Sequence, residues 1–261
     1  MAMPDPISRF RLDGRNALVT GGRREIGRAI ALGLAAQGAR VVVHHTGSAD
    51  ESRDAETVVR DIEAGGGQAV AIGADFSVEG DAARLADRAR DAFGLIDILV
   101  LNASIEIHEA WTDISDATFD RQVNVNLRAT LILLQALAPA MAARGWGRIV
   151  TIGSVQQNTP SPVMLVYAGA KAMQHNWAIN LARQLGPSGV TVNNLAPGLI
   201  RTARNVDQLA ADGERMIARI PLGRAGRPDD LVGAALLLCS DAGSYINGAN
   251  FFVDGGRHIG M

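Results

Sequence analysis

The sequence predicts an α/β protein, a doubly wound and mostly parallel sheet with helices on both faces. Short apolar runs alternate with helix-period segments along the whole chain, the pattern of successive βαβ units. The first run, Asn16-Ala17-Leu18-Val19-Thr20, passes straight into a glycine turn and then a helix. No repeat, low-complexity stretch or linker interrupts the 261 residues, so one domain is expected over 1–261.

Residues 1–15 read as a polar lead-in. After the first strand, Gly21 to Arg28 turn into a helix reaching about Gln37, with Ile26, Ile30 and Leu34 at helical spacing and Gly38 as its stop. The second strand is Arg40-Val41-Val42-Val43-His44. Strand, glycine turn, helix and strand form the layout in which a helix N-terminus receives a dinucleotide pyrophosphate. Residues 46–67 are polar and then helical, ending at Gly65-Gly66-Gly67, and Ala69-Val70-Ala71-Ile72 is the third strand. An amphipathic helix over 79–93 turns Leu85, Ala89 and Phe93 inward, and Asp97 to Leu101 form the fourth strand. One long helix is expected from Asp116 to Ala143, with Pro139 as its kink. Ile149-Val150-Thr151-Ile152 is a fifth strand, 163–185 a helix, Thr191 to Ala196 a sixth strand, 229–240 a helix and Asn250 to Val253 the last strand. The polar, charged stretch 203–222 suits a lid over a substrate.

Bulk properties narrow the function. A net charge of −2 gives no reason to expect nucleic acid as a partner. The single cysteine, Cys239, follows Leu236-Leu237-Leu238, reads as core packing and fits a reducing compartment. The start lacks the apolar segment of a secretory signal, and no run of about 18 wholly apolar residues suggests a membrane span. A cytoplasmic protein without a membrane partner is expected. The five histidines include no metal-ligand spacing, and adjacent His44 and His45 would point to opposite sides of a strand, so no metal site is expected.

The chemistry is expected in Gly153 to Lys171. Of 25 basic residues 24 are arginine, and Lys171 is the single lysine. Lysine offers a compact point charge where arginine brings a broad planar fork, so this position is one where arginine will not do. Tyr167, one of two tyrosines, lies four residues earlier, on the same face of a helix. An ammonium beside a phenol favours the phenolate, which predicts a lowered Tyr167 pKa and a useful acid or base near neutrality. Ser154, at the carboxyl end of the fifth strand, can hydrogen-bond the same substrate oxygen.

Ser154 with Tyr167-Ala-Gly-Ala-Lys171 resembles the short-chain dehydrogenase/reductases of the common, roughly 250-residue type, and the resemblance covers nearly the whole chain. It implies a Rossmann-type sheet of seven strands ordered 3-2-1-4-5-6-7, hydride exchange between a ketone and a secondary alcohol, and a homotetramer built on helices 116–143 and 163–185. It adds Asn126, in Asn124-Val125-Asn126-Leu127, as a fourth catalytic residue that bends its helix and holds a water linking Lys171 to solvent. The implied cofactor contacts are Gly21, Arg23, Arg24, Ile26, Gly27, His45, Asp75, Phe76, Asn102, Ala103, Ser104, Pro197, Gly198, Ile200 and Thr202, beside Tyr167 and Lys171. Glu25 departs from the family by standing at the middle glycine, where a carboxylate repels pyrophosphate unless it turns away or pairs with Arg23, Arg24 or Arg28. His45 stands where NAD-preferring relatives keep an acid, and Arg24 is placed to meet a 2′-phosphate, so NADP(H) is favoured and NAD(H) is possible. By position Ile105, Glu106, Gln156, Asn158, Val163 and Leu199 are candidate substrate contacts, a polar mix leaning toward a sugar, polyol or small oxo compound. A 3-oxoacyl thioester is an alternative substrate, disfavoured because two basic docking positions appear as Gly145 and Ser188. A non-catalytic nucleotide-sensing protein on the same fold is the other alternative. Lys171→Arg retains the charge but not the point geometry; turnover is expected to fall at least ~100-fold in steady-state assays.

Overall fold

In the computed structural model, which describes residues 5–259, the β-branched and leucine-rich runs become the strands of one parallel sheet. In chain order these are β1 (Asn16–Val19), β2 (Arg40–His45), β3 (Gln68–Gly73), β4 (Ile98–Leu101), β5 (Gly147–Ile152), β6 (Val190–Pro197) and β7 (Asn250–Val253). They lie in the order β3-β2-β1-β4-β5-β6-β7, as expected, and every pairing is parallel. The helices between them are α1 (Glu25–Ala36), α2 (Ala49–Ala64), α3 (Asp81–Phe93), α4 (Asp116–Val123), α5 (Ala129–Ala143), α6 (Leu165–Leu185), α7 (Val206–Ile217) and α8 (Val232–Cys239).

Alternate strand residues feed two cores, because successive side chains leave opposite faces of a strand. Ala17, Val19, Val41, Val43, Ile98 and Val100 pack with Ile30, Leu34, Val58, Leu238 and Cys239 from α1, α2 and α8. Leu18, Val42, Leu99 and Ile149 pack with Leu85, Leu133 and Ala178 from α3, α5 and α6. β1, β4, β5 and β6 are buried along their whole length, as expected for a parallel sheet covered on both faces, and β5 and β6 bury polar residues such as Arg148, Asn193 and Asn194 among the apolar ones.

The long helix is interrupted around Asn126, where the resemblance implied a bend, and not at Pro139. Residues Asn124–Arg128 form a single wide π turn between α4 and α5, whereas Pro139 lies inside regular α5. Pro139 and Gln135, whose carbonyl loses its usual donor, are both on the exposed face, so that carbonyl is open to solvent. The combined stretch Asp116–Ala143 is long and apolar enough for a membrane span, which the residue-by-residue run did not suggest. Its Leu133, Leu137 and Met141 are nevertheless buried against the sheet and α3.

β1 and β4 are neighbours although five elements separate them in sequence, and the chain order reverses between them. A parallel sheet opens a crevice at the carboxyl ends of its strands at such a point. Thr20, Asn102 and the loop after β5 all arrive there.

Candidate active site and nucleotide cleft

The glycine turn after β1 is held from three sides. Gly21, with φ of 62°, donates its N–H to His44 Nδ1 at 2.9 Å. His44 Nε2 lies 2.9 Å from the Ala74 carbonyl, and its ring stacks on Phe76 at 4.4 Å. Burial pushes His44 down to about 4, so the neutral ring accepts at Nδ1 and donates at Nε2. Asn102 Nδ2 donates to the carbonyls of Thr20 (2.9 Å) and Gly21 (3.1 Å), while Thr20 Oγ1 accepts from the N–H groups of Asn102 and Ala103. Gly27 closes the turn: a Cβ there would lie 2.1 Å from the Gly21 carbonyl oxygen and 2.6 Å from Asn102 Nδ2. Backbone therefore approaches backbone at the N-terminus of α1, a cradle suited to an anion.

Glu25 turns away from this cradle. It has φ of 50°, a left-handed conformation that costs a non-glycine residue free energy. Its carboxylate accepts a hydrogen bond from the Ala203 N–H, at the start of the segment leading into α7. Arg23 is held by Glu51 at 2.6 Å and Asp54 at 2.8 Å, and Arg28 by Asp61 at 2.8 Å. The Arg24 side chain, exposed at the rim, has no hydrogen bond or ion pair among the described residues. Glu51 escaped sequence reasoning as a site residue. It accepts from the Thr46 N–H at 2.8 Å and from Thr46 Oγ1 at 2.5 Å beside His45. Burial pushes its pKa up, but the bonds from Thr46 and Arg23 outweigh that and leave it lowered.

On the other side of β4, Ser154 ends β5 and its Oγ accepts from the Gln156 N–H at 3.1 Å. Tyr167 and Lys171, both buried, stand one turn apart in α6. Lys171 Nζ donates to the Ile152 carbonyl at 2.6 Å and to Gln174 Oε1 at 3.1 Å, and lies 5.5 Å from the centroid of the Tyr167 ring. Gln174 Nε2 in turn donates to the Asn126 carbonyl at 2.7 Å and reaches Thr130 Oγ1 at 3.2 Å. The Asn126 side chain grips Ile105 on both sides, accepting from its N–H at 2.9 Å and donating to its carbonyl at 3.0 Å. Asn126 thus sits behind the cleft wall at the π turn, connected to Lys171 through the Gln174 amide. Nothing in the sequence singled Gln174 out except its position three residues after Lys171.

The expected lowering of Tyr167 is not what the structure gives. Burial, with Glu106 adding to it, pushes the phenol up to about 12, against the opposing influence of Arg204 and Ser154. Burial and then Arg204 push Lys171 down to about 7, with Glu106 opposing. Desolvation of both groups outweighs the attraction that their spacing suggested.

One cavity of about 510 Å³ runs from the glycine cradle to Tyr167, and every proposed cofactor contact lines it. So do Ile105, Glu106, Gln156 and Leu199. Asn158 and Val163 do not line it: both are exposed, and the Val163 carbonyl is taken up by the Glu109 N–H at 3.0 Å. Arg204, just before α7, spans the opening, donating from Nη2 to the Ser104 carbonyl at 2.9 Å while Nη1 lies 3.6 Å from Glu106 Oε2.

A family model described as enoyl-(acyl carrier protein) reductase matches residues 21–258. The chain is 36% identical over 250 residues to an L-rhamnose 1-dehydrogenase (NAD(P)(+)) of Azotobacter vinelandii, covering 95% of this chain and 98% of that one. The chain belongs to the short-chain dehydrogenase/reductase family. It is an oxidoreductase. Among solved structures of the family, a 3-oxoacyl (acyl-carrier-protein) reductase from Agrobacterium tumefaciens C58 with NADP bound is 41% identical, with a TM-score of 0.90 and 98% of both chains covered. A gluconate 5-dehydrogenase from Burkholderia cenocepacia in complex with NADP and tartrate is 34% identical, with a TM-score of 0.91, covering 98% of this chain and all of the other.

Gln174→Leu removes one of the two acceptors around the Lys171 ammonium without touching the cavity. Loss of that acceptor disfavours the charged form, so the pH limb near 7 in carbonyl reduction should move to lower pH. Turnover at neutral pH is expected to fall about tenfold with nucleotide affinity unchanged, as checked by pH–rate profiles and by titration of NADPH fluorescence.

Proposed function

We propose that the protein interconverts a ketone and a secondary alcohol on a sugar, polyol or small oxo compound by hydride transfer, using NADP(H) in preference to NAD(H). The observation that carries this reading is the convergence of Ser154, Tyr167 and Lys171 on one end of the cavity whose other end is the glycine cradle. The residues present fit a dinucleotide. The close contact of Gly21, Gly27 and Asn102 leaves backbone N–H groups bare at the N-terminus of α1, and Glu25 points elsewhere. Gly198 supports the far end, where a Cβ would meet Asp254 at 2.5 Å. When bound, the nicotinamide supplies or accepts the hydride.

The chain's own part is the proton and the geometry. Tyr167, with its pKa at about 12, keeps its proton at neutral pH and presents it to the oxygen of a bound ketone. Ser154 holds the same oxygen. Lys171, fixed by the Ile152 carbonyl and Gln174, steadies the charge that develops on the tyrosine. Asn126 sets the position of Gln174 and of the wall at Ile105. Residues 203–222 act as the lid. Arg24 is free to meet a 2′-phosphate, while the Glu51 carboxylate near His45 opposes a second negative charge. The preference for NADP is therefore modest, no more than roughly ten- to a hundredfold, the worth of about one charge-assisted contact. A cytoplasmic homotetramer is proposed, supported by Phe119 and Leu131 on α4 and α5 and by Leu165, Met173 and Ile179 on α6, all exposed.

Purified protein with NADPH or NADH and a panel of ketoses and small ketones tests the reading; no turnover with either cofactor across the panel defeats it. Tyr167→Phe is expected to abolish turnover while nucleotide still binds, and equal loss of both would make Tyr167 structural. Arg24→Ala should erode the NADP preference in kcat/KM and leave NAD-dependent activity nearly intact.

A further inference from the structure

The substrate end of the cavity carries an excess of positive charge that the hydride-transfer reading does not use. It is lined by Arg121, Arg204 and Arg257, with Glu106 as the carboxylate among them. Glu106 is already shared, between Arg204 at 3.6 Å and His108 at 2.5 Å. Arg204 is further occupied by the Ser104 carbonyl. Arg257 is different. Like the exposed Arg121 it makes no side-chain hydrogen bond or ion pair among the described residues, but it is half-buried.

The carboxylate near Arg257 makes no hydrogen bond or ion pair with its guanidinium. Asp254 accepts from the Gly256 N–H at 2.9 Å, the His258 N–H at 2.7 Å and His258 Nδ1 at 2.8 Å, so its oxygens are committed to the turn that ends the chain's last strand. Burial and then the neighbouring Arg219 both work against the Arg257 charge, with Asp254 offsetting them only in part. A partly desolvated guanidinium with no partner is unfavourable, and an anion in the cavity removes that cost through a two-pronged charge-assisted bond. Beside it, the Arg204–Glu106 pair and Gln156 offer donors and acceptors suited to hydroxyl groups rather than to hydrocarbon.

We infer that this site takes a polyhydroxy carboxylate, a sugar acid, whose carboxylate is received by Arg257 and whose hydroxyls meet Glu106, Arg204 and Gln156. The assignment builds on the hydride-transfer reading, and it makes a neutral sugar or an alkyl ketone the poorer substrate.

Gluconate and glucitol test it as a pair, since they share a hydroxylated chain and differ in having a carboxylate or a CH2OH at one end. Each is titrated by calorimetry into the protein saturated with NADPH, the reduced form, with which neither alcohol can exchange a hydride. Gluconate should bind roughly 10- to 100-fold more tightly, as one charge-assisted contact allows. Arg257→Gln should erase that gap while leaving the affinities for glucitol and NADPH unchanged. Raising salt from roughly 0.05 M to roughly 0.5 M should narrow the gap in the unaltered protein, a reading that needs no variant. Equal affinities, including no measurable binding of either, overturn the inference, as does a gluconate preference that survives Arg257→Gln. Failure of the hydride-transfer reading looks different: no ketone is turned over, yet the binding gap and its dependence on Arg257 stand.

Discussion

A single buried ammonium organises the catalytic half of this molecule. Lys171 is fully enclosed, and a cation taken out of water must be given oxygen partners or lose its proton. Its partners come from two directions, the Ile152 carbonyl at the end of β5 and the Gln174 amide one turn along α6. Gln174 is useful there only because Asn126 and Thr130 hold its other end. The wide turn at Asn124–Arg128 follows from the same demand, since Asn126 must offer its carbonyl to Gln174 while its side chain bonds the Ile105 backbone. Strand β5, helix α6, the α4–α5 junction and the loop after β4 are thus joined through one charge.

The nucleotide half depends on neutral contacts. His44 ties the glycine turn to the ends of β2 and β3, and its burial keeps it uncharged across the physiological range. Asn102 and Thr20 do the same between β1 and β4. Neither set brings a formal charge to the anion cradle, which leaves the field there to the α1 N-terminus and to the arginines at the rim.

Strand positions were legible from apolar runs and glycine turns, and the Tyr167–Lys171 pair from a spacing of one helical turn, whereas the sheet order and the choice of Asn126 came from the family resemblance and from no local pattern. What was not legible depended on contacts between segments distant in sequence. Glu51 is one residue among several acids in a helix until Thr46 and Arg23 close on it. Gln174 looks like an ordinary helix residue until Asn126, 48 positions earlier, meets it. The Tyr167 shift went the other way from expectation because spacing shows which groups are neighbours but not how little water reaches them. Asn158 and Val163 were placed in the pocket by proximity in sequence to Ser154 and Tyr167, whereas the loop between turns them to solvent. Pro139 was read as a break because the sequence does not say which side of the helix faces water.

Glu25 has a mechanical consequence. Its carboxylate pins the backbone at Ala203, so the covering segment is a beam clamped at one end and not a flap swinging freely from Thr202. Further along the segment α7 breaks helical geometry at Asp212, the first point past the clamp where the helix is already interrupted. The clamped end lies beside the nucleotide cradle. The glycine turn proposed for the pyrophosphate is thus tied directly to the segment proposed as the lid.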